Sequence, residues 1–136
     1  MANPFYSKPE AAQTRRLQCS GVSSIPVGHA IKVTDWPVSS TDTGSAVVCP
    51  DGEAPHMFVE TDLSDVGTSG VGSFAARDGV RVRAGGSFAA DDYLKVSGGR
   101  LVKASTGNTA FYQALTPAAG ANDLPLARFV GKTTVP

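Results

Sequence analysis

Residues 80–104 contain two glycine pairs, and the spacing of these pairs constrains the fold more than any other feature of the chain. An alternating apolar and polar run over residues 80–84 precedes Gly85-Gly86, and a second run over residues 93–97 leads into Gly98-Gly99. Alternation with a period of two is typical of a half-buried strand. A glycine pair supplies the positive φ angles that a two-residue hairpin turn needs. Two hairpin signals this close together predict a meander of antiparallel strands.

The same rhythm of short strands and turns runs through the rest of the chain. Its 136 residues fit one domain, and its abundant glycine and low charged fraction of 18% favour β-structure with many turns. We therefore predict an all-β fold: a small β-barrel or sandwich-like body over residues 21–136 with a C-terminal meander. The glycine-rich stretch 67–73 is either a hinge between two β lobes or a long hairpin loop, and we place the boundary between an N-terminal β half and the meander there. Further predicted strands lie within residues 30–34, 46–49, 56–61 and 110–115.

Residues 1–20 differ from this body, and we predict that they form an extended N-terminal arm. Ser7 and Glu10 have the spacing of a helix capping box, so residues 11–18 could form two turns of helix. A helix this short is marginal in water, which favours a weak helix or a segment that becomes ordered on a partner. Phe5 and Tyr6 are aromatic anchors suited to a groove. A frayed terminus without a role is the alternative.

A family resemblance lies in the second half of the chain. A glycine pair is followed by Ser87-Phe88-Ala89-Ala90-Asp91, then by Tyr93-Leu94, and then by Gly98-Gly99-Arg100-Leu101-Val102-Lys103-Ala104. This order of strands and turns resembles the C-terminal part of the small capsid decoration (cement) proteins of tailed bacteriophages. The later strands of that pattern would be residues 110–115 and 123–131. The first half of the chain resembles the family only in outline.

The resemblance implies a structural role on the outside of a phage head. It implies a capsid decoration protein that binds the major capsid protein, forms a homotrimer and stabilises the shell. Decoration proteins often hold their neighbours with their N-termini, so the arm is expected to carry partner contacts. A loop tryptophan beside Pro37 is a further interface candidate. The partner-binding residues predicted in this way are Pro4, Phe5, Tyr6, Arg15, Arg16 and Trp36.

Charge and hydropathy argue against other classes of partner. Twelve basic residues balance twelve acidic ones, whereas domains that bind nucleic acid usually concentrate basic charge. The same balance argues against electrostatic binding to a membrane, and no apolar run approaches the ~20 residues of a membrane span. The first residues lack the pattern of a secretory signal, so we expect the protein to be made in the host cytoplasm and then joined to the virion.

The sequence contains no recognisable catalytic or cofactor motif, and we expect no enzymatic activity, cofactor or metal. Cys19 and Cys49 lack the spacing of a zinc or redox motif and are expected to be buried free thiols. His29 and His56 have no nucleophile or acid at a suggestive spacing. Two alternatives remain: a β-clip-like or carbohydrate-binding module with an exposed aromatic platform, and a small hydrolase or lyase in which a histidine meets a carboxylate.

Overall fold

The computed structural model describes residues 14–39, 42–66 and 70–136. These residues contain no helix, and their regular structure is entirely strand, which confirms the all-β prediction. The described strands are β1 (Thr14–Cys19), β2 (Ser24–Ile25), β3 (Ala30–Asp35), β4 (Gly44–Val48), β5 (Met57–Thr61), β6 (Leu63–Ser64), β7 (Gly70–Phe74), β8 (Val80–Arg81), β9 (Tyr93–Ser97), β10 (Arg100–Lys103), β11 (Thr109–Ala114) and β12 (Leu126–Thr134).

The first half of the described chain closes into a barrel of strand order β1-β4-β3-β5-β7, which we call the first barrel. Its neighbouring strands pair antiparallel except for β1 and β4, which pair parallel. Alternating residues of these strands fill the interior, among them Leu17, Ile31 and Met57, all fully buried. The short strands β2 and β6 pair with each other, and Ile25 and Leu63 from this pair join the same apolar cluster.

The remaining strands form a second sheet of order β10-β9-β11-β12-β8. Gly98 and Gly99 have φ angles of 60° and 78° and join β9 to β10, which confirms the hairpin predicted there. β10 lies outside β9, so the strand order departs from a simple meander. A parallel bridge between Ala84 and Leu101 brings the chain after β8 against β10 and so joins the two edges of the sheet.

The hairpin predicted at Gly85-Gly86 is wrong. Neither glycine is among the residues with positive φ, and β8 pairs with β12 rather than with β9. The chain bends at these two glycines without forming a hairpin, and the Gly85 N–H donates to the Leu101 carbonyl at 2.9 Å, which joins this segment to β10. Glycine is needed at position 85 for a different reason: a Cβ there would lie 2.7 Å from Val102 Cγ1. Close strand approach, rather than a turn, explains this glycine.

The helix predicted over residues 11–18 is also wrong where the structure describes the chain. Residues 14–18 belong to β1, and Leu17 and Cys19 alternate into the barrel core. The last part of the segment predicted as an arm is therefore a barrel strand, and residues 1–13 lie outside the described residues. In the glycine-rich stretch, Gly72 pairs with Val59, so β5 and β7 form an antiparallel pair across the connection between them. Residues 70–73 of this stretch are therefore part of a barrel strand and not of a loop.

One apolar core joins the first barrel to the second sheet. Phe58 of β5 and Tyr112 of β11 meet edge to face with ring centroids 5.3 Å apart. The buried Tyr112 hydroxyl donates to the Ala75 carbonyl at 2.9 Å, just after β7. Since both halves contribute side chains to one buried cluster, they pack as a continuous body. Cys19 and Cys49 are buried free thiols, as predicted.

Candidate partner-binding surface

Trp36 lies at the centre of a short row of stacked groups on the first barrel, which we call the ring stack. Its ring stacks on Phe74 at the end of β7, with centroids 5.8 Å apart and planes 16° from parallel. His56 lies 5.6 Å from the Trp36 ring centroid, and the guanidinium carbon of Arg15 lies 5.0 Å from the centre of the Phe74 ring. Such contacts contribute about 0.5–1 kcal/mol each at exposed sites. They hold the Trp36 ring in place while 42% of the residue stays exposed.

Backbone contacts fix the turn that carries Trp36. The Val33 N–H donates to His56 Nδ1 at 2.9 Å and so orients the histidine ring. Gly44, at the start of β4, approaches this turn so closely that a Cβ would lie 2.7 Å from Pro37 Cδ. A side chain at position 44 would therefore push the turn away from the barrel. The Trp36 orientation depends on packing that no local sequence pattern reveals.

A groove of about 520 Å³ adjoins the ring stack and shares Arg15 with it. The loop after β3 forms one rim and holds Val38 outward, where this apolar residue is 91% exposed. Two hydrogen bonds shape that loop: the Val38 N–H donates to Asp42 Oδ2 at 3.1 Å, and the Asp42 N–H donates to the Ser39 carbonyl at 3.1 Å. The groove is lined by Thr14, Arg15, Arg16, Pro37, Val38, Ser39, Asp42 and Val71.

The structure brings three of the predicted partner-binding residues to one surface. Trp36 and Arg15 both contact Phe74, and Arg16 lines the adjoining groove. Pro4, Phe5 and Tyr6 lie outside the described residues. Sequence reasoning missed Phe74 because an aromatic residue in an alternating strand is usually part of the core. The exposure of Val38 was not predicted either. The only indication in the sequence is that this apolar residue lies within a run of loop-forming residues.

The described residues do not assemble a catalytic set. No carboxylate lies within ion-pair distance of His29 or His56 in the described ranges. Desolvation of the His56 ring and the nearby charge of Lys32 lower the pKa of this histidine. Burial raises the pKa of the Cys49 thiol to about 11, so the thiol is protonated and unreactive at neutral pH.

Residues 14–39, 42–66 and 70–136 contain neither a metal-binding cluster nor a membrane-spanning helix. No group of three or more metal-ligating side chains occurs there. Asp92 instead accepts the Ala89 N–H at 2.9 Å, as expected for a turn carboxylate. The described ranges hold no helix that is long and apolar enough to cross a membrane.

Comparison with known proteins identifies a shared fold. No family model and no curated protein sequence matches the chain. Among solved structures, the chain is similar to the N base of the head fiber protein gp8.5 of bacteriophage phi29. The TM-score is 0.63 and the sequence identity is 14%, and the match covers 88% of this chain and 96% of the phage chain. At this identity the similarity establishes the fold, and this chain has the fold of a phage head fiber base.

Proposed function

We propose that the chain is a non-enzymatic structural protein of a phage particle and that it binds the outside of the head as a decoration protein. The observation that carries this proposal is the fold, which is shared over nearly all of both chains with the base of a phage head fiber. The independent resemblance of residues 83–104 to capsid decoration proteins supports the same class.

Under this proposal the ring stack and the adjoining groove form the contact with the major capsid protein. Exposed tryptophan and arginine side chains are the residue types that dominate binding energy at protein interfaces. Trp36 is also pre-oriented by Phe74 and His56, so its rotamer entropy is largely lost before binding, and this favours affinity. The projecting Val38 adds an apolar contact at the rim of the groove.

A homotrimer on the exterior of the virion is the arrangement we propose, without a nucleic acid, membrane or cofactor as partner. Three copies of a modest contact would act together, because each later contact forms at a high effective concentration. The balanced charge of the chain suits a protein surface better than a phosphate backbone.

Co-sedimentation with phage heads that lack this protein tests the proposal. We expect wild type to pellet saturably and Trp36→Ala to bind at least about tenfold more weakly, as for an interface anchor. Leu115→Ala is the matched control, since Leu115 and Trp36 are equally exposed, at 42% each, and we expect it to bind like wild type. Failure of the wild type to pellet would refute head binding, and equal losses in both variants would refute the role of Trp36.

The contribution of the N-terminal segment needs a truncation that spares the barrel. A chain starting at Gly21 would lack β1, which pairs with both β4 and β7, and would therefore test folding rather than binding. A chain starting at Thr14 keeps every described strand. Reduced binding by this shorter chain would support partner contacts from Pro4, Phe5 and Tyr6, whereas unchanged binding would assign the contact to the barrel.

The exposed Trp36 ring also supports a second candidate, binding of a glycan. A tryptophan stacked on one neighbour and open to solvent can accept a sugar ring. Titration of the Trp36 fluorescence with a panel of oligosaccharides tests this. A saturable change that is lost in Trp36→Ala would support a carbohydrate-binding module, and the absence of a change would rule out the glycans in the panel.

A further inference from the structure

Three basic side chains converge where the second sheet meets the first barrel. The parallel bridge between Ala84 and Leu101 places Arg83 and Arg100 side by side on adjacent strands. Since Ala84 and Leu101 both face the buried core, the two arginines share the opposite face. Both are half-buried, as is His29 of the first barrel. We call Arg83, Arg100 and His29 the arginine seam.

The turn that carries His29 lies directly against this face. The Arg83 N–H donates to the Gly28 carbonyl at 2.8 Å, and Arg83 Nε donates to the Val27 carbonyl at 2.9 Å. On the other side, a Cβ at Gly99 would lie 3.7 Å from the His29 ring. His29 is thereby held between the strand of Arg83 and the hairpin that leads into Arg100. These contacts fix the positions of the seam residues.

The positive charge of the seam has no acidic partner in the described part of the chain. No carboxylate lies within 4.0 Å of either guanidinium there. Asp62 and Asp51, on neighbouring turns, each accept a backbone N–H instead, at 2.9 and 2.7 Å. Burial lowers the pKa of His29 most, and the nearby charges of Arg83 and Arg100 lower it further. Adjacent like charges in a partly buried setting repel one another, so an anion between them would relieve this repulsion.

We propose that the arginine seam is a binding site for an acidic segment of a partner protein. Arg83 uses only its Nε on the protein, so both terminal nitrogens remain for a carboxylate, and the Arg100 side chain makes no hydrogen bond in the described residues. Guanidinium groups bind carboxylates bidentately, which gives both affinity and orientation. Arg81 precedes Arg83 by two residues on the same strand face and extends the basic row. This site lies apart from the ring stack and does not depend on the proposed binding to a phage head.

Binding of an acetylated hexaglutamate peptide tests the proposal. The peptide carries a fluorophore, and its anisotropy is followed at low ionic strength as protein is added. We expect Arg100→Gln to weaken binding at least about tenfold, because charge-assisted hydrogen bonds are lost. Arg77→Gln is the matched control. Arg77 is also half-buried, its side chain makes no hydrogen bond or ion pair in the described residues, and it lies on the connection between β7 and β8. We expect this control to change affinity less than twofold.

Further outcomes of the same titration decide against the proposal. Equal weakening by both variants would show diffuse charge attraction and overturn it, as would the absence of binding by the wild type. Displacement of the peptide by an equal concentration of inorganic phosphate would identify a general anion site and overturn recognition of an acidic segment. Because these measurements use a peptide and no phage heads, a negative result here and a negative result in co-sedimentation are distinguishable.

Discussion

Acid should weaken the fold through His29. Both ring nitrogens of this histidine are buried and have no hydrogen-bond partner among the described residues. The pKa of His29 is lowered from 6.5 to about 4, mainly by burial and additionally by the charges of Arg83 and Arg100. The charged groups that act on the ring are thus the cations Arg83 and Arg100, and among the described residues no carboxylate is placed to accept a hydrogen bond from a protonated imidazole.

The direction and size of the effect follow from these two pKa values. In the folded protein His29 stays neutral down to about pH 4, whereas in the unfolded chain it takes up a proton below about pH 6.5. The unfolded state therefore binds more protons between these limits, and the free energy of unfolding falls as the pH falls. At about 1.4 kcal/mol per pH unit, the loss across this interval is at most about 3 kcal/mol. Below about pH 4 both states are protonated and His29 contributes no further loss.

Urea unfolding of wild type and His29→Leu, followed by circular dichroism from neutral pH to about pH 4.5, measures this contribution. Leucine does not titrate, and no hydrogen bond of His29 to the described residues is lost. We therefore expect the two proteins to differ by less than about 1 kcal/mol at neutral pH. At about pH 4.5 we expect the variant to be more stable by about 2 kcal/mol or more. Carboxylates titrate in both proteins, so their effect cancels in the difference.

Two results would refute the reasoning. Parallel loss of stability in both proteins would mean that His29 does not cause the acid sensitivity. A loss of more than about 2 kcal/mol in His29→Leu at neutral pH would mean that the ring nitrogens have partners that the leucine cannot replace. His29→Gln, which restores hydrogen-bonding capacity without a titration near neutral pH, would then recover the lost stability.

Three further predictions concern single side chains. Tyr112→Phe removes the hydroxyl that donates to the Ala75 carbonyl at 2.9 Å, and urea unfolding should show a loss of about 0.5–1.5 kcal/mol, because one buried hydrogen bond is lost while the Ala75 carbonyl keeps the bond from the Arg77 N–H at 3.0 Å. Gly86→Ala should leave the free energy of unfolding unchanged or raise it by up to about 1 kcal/mol, because Gly86 has no positive φ and a Cβ added there would have no neighbour within 4 Å. Gly99→Ala should instead lower the free energy of unfolding, because Gly99 has a φ of 78°. Cys49 should react with a thiol reagent at about pH 8 only after unfolding, since its pKa is raised to about 11.

The features that could be predicted from the sequence are those specified by adjacent residues. The turn at Gly98-Gly99 needs positive φ angles at two adjacent residues, which the two glycines provide, and the structure confirms this turn. Trp36 could be predicted as a surface residue because a proline and a run of polar residues follow it. Alternation likewise predicted β9, in which Leu94 and Val96 face the core. These local predictions are correct because the tertiary contacts favour the same structure.

The features that could not be predicted depend on residues far apart in the chain. β1 pairs with β4 and β7, and these partners override the weak local signal for a helix. Gly85 looks like a turn glycine, yet its role is set by Val102 on a strand that only the fold brings near. The ring stack could not be predicted either, because Arg15 and Phe74 come close to Trp36 only when the barrel closes.

The closure of the first barrel, together with the bridge at one edge of the second sheet, limits how a partner could bind through the strands. Exposed sheet edges allow a partner to add a strand through main-chain hydrogen bonds. In the described part of the chain the first barrel is closed and has no edge, and the bridge between Ala84 and Leu101 pairs part of the edge strand β10 of the second sheet. Recognition through these strands must therefore rely on side chains that project from loops and outer faces. Trp36 in the ring stack and Arg100 in the arginine seam have that placement: Trp36 stacks on Phe74, which packs against the core of the first barrel, and Arg100 precedes the buried Leu101 of the second sheet. Contacts within the protein orient the side chains of each surface before any binding, which lowers the entropic cost of binding there.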